Sequence, residues 1–397
     1  MEGGLTVSNT KNFFEAKKPW SHYKDSLFVE YLPIYFQKIL KTNVDTLYID
    51  GFAGKGKFDD GEKGSPLIVR DIIKGALAKT KSNSSILPYF VEYKYAKHLK
   101  HNLDDEFCNV VNGDYKEEVP KLLNQYQFKN VFLYVDPYGI KHMQYSIFDL
   151  LRTNKYNSKE LLFNFNTFGF VREGCKLLKV EADDLECEVE QENETDRFIN
   201  DVANMNRIAG GDYWQSIILE NFDPTKGKVD GKRAEKIFIK KYVKQLGKIF
   251  KYVINIPIKT GDDLIPKYQM IYATDYIDGI LLMSNIMLEC NRKMKESFNN
   301  GQISMFDYIY ETTINDDVLS VLTDEFVNIK QFCLSLYIKK GVKYTHKEIN
   351  ATLKELEKKG IVCIERTPST TPTGKKATAV NIMDKTYAIR VRKNENI

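Results

Sequence analysis

Cysteine is scarce in this sequence, and its spacing argues against a metal-binding motif. The 397 residues include six cysteines, and no two of them form a C-x-x-C pair. Structural zinc sites and redox-active dithiols usually depend on such close pairs. We therefore expect no metal site, and we expect reduced thiols in a cytoplasmic protein.

Long hydrophobic runs are missing as well. The apolar stretch around "GILLMSNIML" is shorter than the roughly 18 residues that a membrane-spanning helix needs. The amino terminus lacks a basic segment followed by an apolar one. The sequence therefore predicts neither a signal peptide nor a membrane partner.

Positive charge is in small excess overall and is concentrated at one end. The net charge is +4, yet Lys339 to Ile397 contain 14 Lys and Arg against 6 Asp and Glu. The rest of the chain is mildly acidic. A basic terminal segment favours an anionic partner such as nucleic acid, although a solvated lysine-rich face has the same composition.

The sequence does contain a regular alternation of apolar strands and helical segments. Runs such as "TLYID", "ILPYFVEY", "NVFLYVDPYG" and "ELLFNFNTF" are separated by segments with helical periodicity. Continuous apolar runs are typical of strands buried on both faces of a parallel sheet. We predict a Rossmann-like α/β fold, mainly parallel, in which "KYVINIPIK" and "PKYQMIYATD" form an antiparallel closing edge.

The pattern changes along the chain and suggests three regions. We predict a helical lead-in in residues 1–45, the sheet domain in 46–310 and a winged-helix domain in 311–397. In the last region two amphipathic helices precede two strands, and Thr345 is a suitable N-cap for the second helix. An acidic insert without chemistry is predicted near residues 175–200.

The first strand runs into the glycine-rich stretch "YIDGFAGKGKF". It contains most of a P-loop, but Phe58 stands where a magnesium-binding Ser or Thr is required. Its glycine spacing also differs from the G-x-G-x-x-G of dinucleotide-binding folds. It is more similar to the D-x-F-x-G-x-G loop of S-adenosylmethionine-dependent methyltransferases, and an ordinary tight turn is the alternative. The candidate cofactor-binding residues here are Asp50, Gly51, Phe52, Ala53, Gly54 and Gly56.

Acidic residues follow the next two predicted strands. Glu92 ends the second strand, where a carboxylate can accept hydrogen bonds from the two hydroxyls of a ribose. Asp114 follows the third strand and can accept the exocyclic amine of an adenine ring. The alternative for Asp114 is a turn residue after Asn-Gly. Because the carboxyl ends of parallel strands meet at one edge, we predict that both side chains contribute to the cofactor site.

The sharpest motif is "LYVDPYG" at the end of the fourth strand. Pro137 fixes the turn, so that the carboxylate of Asp136 points outward and can accept an N–H from a substrate amine. Tyr138 offers a flat surface on which a nucleobase can stack. We predict Asp136, Pro137, Tyr138 and Gly139 as catalytic residues, against the alternative of a routine strand-to-loop turn.

Together these motifs resemble those of the three-Cys-motif partner proteins. The similarity covers D-G-F-A-G-K-G, G-S-P-L, V-E, G-D and D-P-Y-G, and the lead-in "PWSHYKDSLFVEYL". Lys55 departs from the proline of that family. The resemblance implies a Rossmann-like class I methyltransferase sheet, a C-terminal winged helix, S-adenosyl-L-methionine as cofactor and a radical-SAM-like three-Cys-motif protein as partner. D-P-Y-G is also similar to motifs of tRNA guanine-N2 methyltransferases and of amino-methylating DNA enzymes.

The sequence thus predicts an S-adenosylmethionine-dependent N-methyltransferase acting on an exocyclic amine of a nucleic acid base, either DNA or RNA. Basic side chains of the winged helix would add phosphate contacts. These residues are Lys347, Lys354, Lys358, Lys375 and Lys376. The alternative is a non-catalytic nucleic-acid-binding or targeting subunit that works with the three-Cys-motif partner.

Overall fold

The computed structural model describes residues 17, 19–137, 139–183, 201–259, 266, 268–298 and 312–394. The chain divides into two units, residues 1–275 and residues 276–397. This boundary precedes the one predicted near residue 310, and the predicted lead-in belongs to the first unit. Most of the acidic insert predicted near residues 175–200 lies outside the described residues.

The first unit is built on a seven-stranded sheet, accompanied by a small three-stranded one. The strands are β1 (Thr46–Asp50), β2 (Ile86–Glu92), β3 (Asn109–Asn112), β4 (Asn130–Val135), β5 (Ser158–Phe165), β6 (Glu181–Asp183), β7 (Phe222–Asp223), β8 (Lys228–Asp230), β9 (Tyr252–Ile258) and β10 (Tyr268–Thr274). The large sheet has the order β3-β2-β1-β4-β5-β10-β9, and the small one has the order β6-β8-β7. From β3 to β5 all neighbours are parallel, whereas β10 is antiparallel to both β5 and β9. The predicted sheet, mainly parallel with an antiparallel closing edge, is confirmed.

Nine helices of the first unit fall within the described residues. They are α1 (Pro19–Leu40), α2 (Ser65–Lys79), α3 (Ala96–Leu103), α4 (Tyr115–Gln125), α5 (Tyr145–Thr153), α6 (Thr167–Leu177), α7 (Val202–Ala209), α8 (Tyr213–Glu220) and α9 (Gly231–Leu246). Most of them lie between consecutive strands of the large sheet, as the alternation of patterns predicts.

The central strands are buried along their whole length, which explains their continuous apolar sequences. Every residue of β1 and β4 is buried. On one face, the α1 residues Tyr31 and Tyr35 pack on Phe132, and the rings of Tyr35 and Phe132 lie 5.2 Å apart. On the other face, α4 to α9 enclose a second apolar cluster. Burying each such aromatic side chain stabilises the fold by about 1.5–3 kcal/mol, so α1 is an integral part of the sheet domain.

Among its described residues, the second unit contains four helices and a separate sheet. Its elements are α10 (Ile277–Phe298), α11 (Ile314–Val321), β11 (Val327–Asn328), α12 (Ile329–Lys340), α13 (His346–Lys358), β12 (Val362–Thr367) and β13 (Ala388–Lys393). The sheet is antiparallel with the order β11-β13-β12. Thr345 is the N-cap of α13, as predicted, and forms a reciprocal capping box with Glu348. In the part of the chain that the structure describes, no helix is long and apolar enough to cross a membrane.

Candidate functional site

A cavity of about 660 Å³ lies at the carboxyl ends of β1 to β4. Open parallel sheets bind their ligands at this edge, and the volume is typical of small-molecule sites. Most of the predicted site residues line it. They are Gly51, Phe52, Ala53, Gly54, Gly56, Glu92, Asp114, Asp136, Pro137 and Gly139. Asp50 is not part of the lining, and Tyr138 lies outside the described residues.

The glycine loop passes closely over β4 and α4. The N–H of Gly51 donates to the Tyr134 carbonyl at 2.9 Å. A Cβ on Gly51 would lie 2.7 Å from a ring atom of Tyr115, which is too close for two carbon atoms. Gly54 and Gly56 have φ angles of 65° and 78°, a region that glycine adopts at little cost. Glycine is therefore required at these positions, and it brings bare backbone to the cavity wall.

The continuation of this loop does not have P-loop geometry. Residues 56–64 fold back on themselves, because Gly64 N–H donates to Gly56 O at 2.9 Å and Phe58 N–H donates to Glu62 O at 2.8 Å. The following helix, α2, begins only at Ser65. A P-loop needs the helix directly after its lysine, so that the helix N-terminus faces a phosphate. Lys55, between two glycines of the loop, pairs with Asp59 at 3.1 Å.

Asp50 supports the loop from behind. Its carboxylate is fully buried and accepts hydrogen bonds from Phe52 N–H at 3.1 Å and from the Ser65 hydroxyl at 3.0 Å. Burial raises the pKa of the Asp50 carboxyl to about 7, and these two hydrogen bonds act in the opposite direction. Asp50 thus joins the end of β1 to the start of α2, and it is not part of the cavity lining.

Glu92 joins the glycine loop to the loop that follows β2. Its Oε2 accepts Gly54 N–H at 2.8 Å. Its Oε1 accepts the N–H groups of Lys94 and Tyr95 at 2.8 and 3.0 Å. A carboxylate offers about four acceptor positions. Three are used by backbone groups, so Oε2 retains one for a hydroxyl in the cavity.

Asp114 is a turn residue, as one of the two interpretations of its sequence context predicts, and it also lines the cavity. It is the N-cap of α4, and its Oδ1 accepts Lys116 N–H at 2.8 Å. Its Oδ2 lies 3.9 Å from Nδ1 of His142, which also lines the cavity. The capping bond orients the carboxylate, and the second oxygen remains on the cavity side.

Asp136 is held by three side chains, one each from α1, from β5 and from its own strand β4. Its Oδ2 accepts Lys24 Nζ at 2.5 Å and the Tyr134 hydroxyl at 3.0 Å. Its Oδ1 accepts Asn164 Nδ2 at 2.8 Å. The Lys24 and Asp136 side chains are only 15% and 20% exposed, so solvent screens their attraction weakly. One acceptor position on Oδ1 remains for a substrate group.

Sequence reasoning missed several residues of this site. Lys24, Tyr134 and Asn164 hold Asp136, and Trp20 and Tyr268 line the same cavity. Trp20 and Lys24 belong to the lead-in "PWSHYKDSLFVEYL", which carries part of the family resemblance. That resemblance was a usable signal for Lys24. Asn164 and Tyr268 gave none, because polar residues in strands are common.

The predicted nucleic-acid-binding lysines lie in the second unit. Lys347, Lys354 and Lys358 are exposed, and their spacing places them on one face of α13. Lys375 and Lys376 are exposed in the loop between β12 and β13, next to a turn in which Gly374 N–H donates to Thr371 O at 2.9 Å. In the residues that the structure describes, no cluster of His, Cys, Asp and Glu is arranged to hold a metal ion.

No protein-family model and no curated protein matches the sequence. Trm1 from Pyrococcus horikoshii, solved with S-adenosyl-L-methionine, is 10% identical with a TM-score of 0.32, over 95% of this chain and 91% of that chain. A spermidine synthase bound to the transition-state analogue AdoDATO is 10% identical with a TM-score of 0.31, over 72% and 73%. The small RNA methyltransferase HEN1 is 11% identical with a TM-score of 0.28, over 63% and 25%. Such distant likenesses assign no residue role. The fold assignment rests on the strand order, in which β10 lies between β5 and β9 and is antiparallel to both. The first unit has the Rossmann-like fold of class I methyltransferases.

Proposed function

We propose that the protein is an S-adenosyl-L-methionine-dependent N-methyltransferase acting on an exocyclic amine of a nucleic acid base. The observation that carries this proposal is Asp136 at the cavity edge, held by Lys24, Tyr134 and Asn164 with one acceptor position left. A carboxylate fixed in this way can accept one N–H of an amine and so direct the nitrogen lone pair toward a methyl donor.

The cavity residues fit the proposed cofactor. Bare backbone at Gly51, Gly54 and Gly56 lets a ligand approach the loop closely, as the chain of an amino acid would require. Glu92 keeps one acceptor position for a ribose hydroxyl, and Asp114 keeps one oxygen for an adenine amine. When bound, the cofactor supplies an electrophilic methyl group.

The chain's own residues would act mainly by positioning. An aromatic amine is a neutral nucleophile, and its proton can leave after the methyl group has transferred. The site therefore needs orientation more than a strong base. Lys24 balances the charge of Asp136 without blocking the last acceptor position on Oδ1. A neutral amine suits this balanced site better than a cationic one, and Tyr138 stays a prediction for stacking on the base.

We also propose that residues 312–394 form a winged helix that binds nucleic acid. The support is a sheet of order β11-β13-β12 beside α11, α12 and α13, with exposed lysines on α13 and in the β12–β13 loop. Lysines at such positions neutralise phosphates and make binding strongly salt-dependent. A three-Cys-motif protein as partner and a cytoplasmic location remain proposals that rest on the sequence.

One observation favours a second candidate function. The cations exposed on α13 and in the β12–β13 loop can bind phosphates without any methyl transfer. The second candidate is therefore a non-catalytic nucleic-acid-binding or targeting subunit for the three-Cys-motif protein.

Transfer of labelled methyl from S-adenosyl-L-methionine to a panel of DNA and RNA substrates tests the two candidates. The enzyme should label one class of substrate, and digestion to nucleosides should identify an N-methylated base. Asp136→Ala should lower the rate of labelling by about 100-fold or more while cofactor and nucleic acid binding remain. Absence of label on every substrate, with nucleic acid binding intact, would favour the non-catalytic candidate.

A further inference from the structure

The helix α9 presents a strongly cationic face. Its exposed residues are all Lys or Arg. They are Lys232, Arg233, Lys236, Lys240, Lys241 and Lys244. The acidic residue of this helix, Glu235, is buried and so contributes nothing to the exposed face. This run lies in the part of the chain that is acidic overall, so the charge is a local feature.

Most of these cations have no counter-ion within the described residues. Arg233, Lys236, Lys240, Lys241 and Lys244 form no ion pair there. Other lysines of the same unit are paired, for example Lys129 with Asp45 at 2.6 Å and Lys74 with Asp105 at 2.6 Å. Like charges on one helix face repel one another. An anionic ligand would remove that repulsion.

The basic face begins at the cavity edge of the sheet. Glu235, in the second turn of α9, accepts the Thr167 hydroxyl at 2.5 Å and Gln269 Nε2 at 2.9 Å. Thr167 follows the carboxyl end of β5, and Gln269 is the neighbour of Tyr268, which lines the cavity. From there α9 runs away from that edge, because it leads into β9, whose direction is that of β5. A ligand along α9 therefore has one end near the cavity.

The composition of the face selects the class of partner. A protein interface needs an apolar centre and contains few lysines, whereas every fully exposed residue of α9 is a cation, and its apolar residues Ile237 and Val243 are half-buried. A helix bound to a membrane surface inserts its apolar side, whereas Ala234, Phe238, Ile239, Tyr242 and Leu246 are buried in the core. A nucleic acid backbone needs only regularly spaced cations.

We propose that α9 is a second nucleic-acid-binding surface, which holds the phosphate backbone of the substrate beside the cavity. It deepens the proposed function and rests on its nucleic-acid part. At about 1.5 Å per residue, Lys232 to Lys244 span about 18 Å, which is the length of about five phosphate steps in one strand. The contacts are to phosphates, so α9 contributes affinity and register but no base selectivity.

The test is nucleic acid binding by Lys236→Gln/Lys240→Gln/Lys244→Gln at several salt concentrations. The probes are a mixed-sequence duplex and a single strand of equal length, in DNA and in RNA. Glutamine retains helix propensity, and the three sites are exposed. We expect binding about tenfold weaker or more, and a log–log salt slope that is shallower by about 2 to 3.

A matched control removes the same charge elsewhere on the first unit. Lys41→Gln/Lys79→Gln/Lys81→Gln changes three exposed lysines that precede β1 and β2, at the opposite edge of the sheet. This control should bind with the wild-type affinity and salt slope. Equal losses of affinity in both triple variants would mean that α9 acts only through the net charge of the protein. That result would overturn the proposal.

Other outcomes would also overturn it. Unchanged nucleic acid binding in the α9 variant does so directly. Binding of wild-type protein to anionic phosphatidylserine vesicles, lost in the α9 variant while nucleic acid binding persists, would assign the face to a membrane. Another outcome concerns the acidic residues between positions 184 and 200, which are candidate anions by sequence alone. If the α9 variant had lower thermal stability and unchanged nucleic acid binding, these acidic residues would be the partner of α9.

The readout separates this inference from the proposed function. Nucleic acid binding through α9 stands even where no methyl transfer is detected. Conversely, methyl transfer to a short oligonucleotide that persists in the α9 variant, with unchanged binding of long probes, removes the inference and leaves the function in place.

Discussion

The two ends of the cavity hold their carboxylates by different means. At the β2 end, Glu92 is fixed by backbone N–H groups of Gly54, Lys94 and Tyr95, all from loops next to its own strand. At the β4 end, Asp136 is fixed by side chains from α1 and β5 as well as from its own strand. Backbone groups remain when a side chain is replaced, but side-chain partners do not. The β2 end is therefore robust to single substitutions nearby, and the β4 end depends on a few specific residues.

Substitution of Asp136 should give the largest effect. Removing one oriented hydrogen-bonding group from an active site typically costs about 100- to 1,000-fold in kcat. We expect a loss of this size for Asp136→Ala and a smaller one for Asp136→Asn, which keeps an acceptor oxygen. Methyl-transfer kinetics beside calorimetric cofactor titration measure both. If the cofactor Kd rose by the same factor by which kcat falls, Asp136 would also contribute to cofactor binding. That result would contradict a role confined to the β4 end.

The burial of Asp50 should make stability depend on pH. The pKa of its carboxyl is raised from 3.8 to about 7 in the folded protein. The folded state therefore keeps a proton that the unfolded state loses, so stability falls as pH rises from about 4 to about 7. Asp50→Asn can keep both hydrogen bonds without titrating. Its stability relative to wild type should rise by at most about 4 kcal/mol across this range.

Denaturant unfolding of the wild type and Asp50→Asn at a series of pH values measures this difference. Comparing the two proteins cancels other buried acids, such as Glu160, whose pKa burial also raises to about 7. A constant difference between pH 4 and pH 7 would show that Asp50 does not titrate in this range.

Removal of Lys24 should uncouple the β4 end from α1. Lys24→Met keeps the apolar stem and leaves a poorly solvated carboxylate without its cation. We expect a stability loss of about 2 kcal/mol and slower transfer. In a double-mutant cycle with Asp136→Asn, the coupling energy should be about 1–3 kcal/mol. Additive effects of the two substitutions would mean that the ion pair does not position Asp136.

Neutralisation of Glu92 should have the smallest effect of the four substitutions. Glu92→Gln replaces a charged hydrogen-bond acceptor with a neutral one, and so weakens the hydrogen bonds from the backbone N–H groups. We expect cofactor binding about tenfold weaker, which corresponds to about 1.4 kcal/mol, with kcat little changed. Glu106→Gln is a control at an exposed position outside the cavity lining. A fall in kcat at saturating cofactor would move Glu92 into the transfer step.

The sequence predicted those parts of the site that depend on local order along the chain. Glycine spacing, strand-end acids and the D-P-Y-G turn all came from short stretches, and the structure brings Gly51, Glu92, Asp114 and Asp136 to one cavity. Parallel strands guarantee this, because their carboxyl ends meet at the same edge. Hydrophobic patterning likewise predicted the mainly parallel sheet and its antiparallel closing edge. Whether these residues bind the proposed cofactor stays a prediction.

Tertiary structure alone decided what surrounds those residues. Only the fold places Lys24, which is 112 residues away in sequence, against Asp136. It also buries Asp50 beneath the loop, and it buries most of the apolar side chains of α9, so that the fully exposed residues of this helix are cations. Long-range contacts of this kind produce no recognisable pattern in the sequence. A single lysine or asparagine reads the same whether its side chain contacts solvent or a carboxylate. The sequence by itself determined the sheet and the strand-end carboxylates, and packing determined their partners.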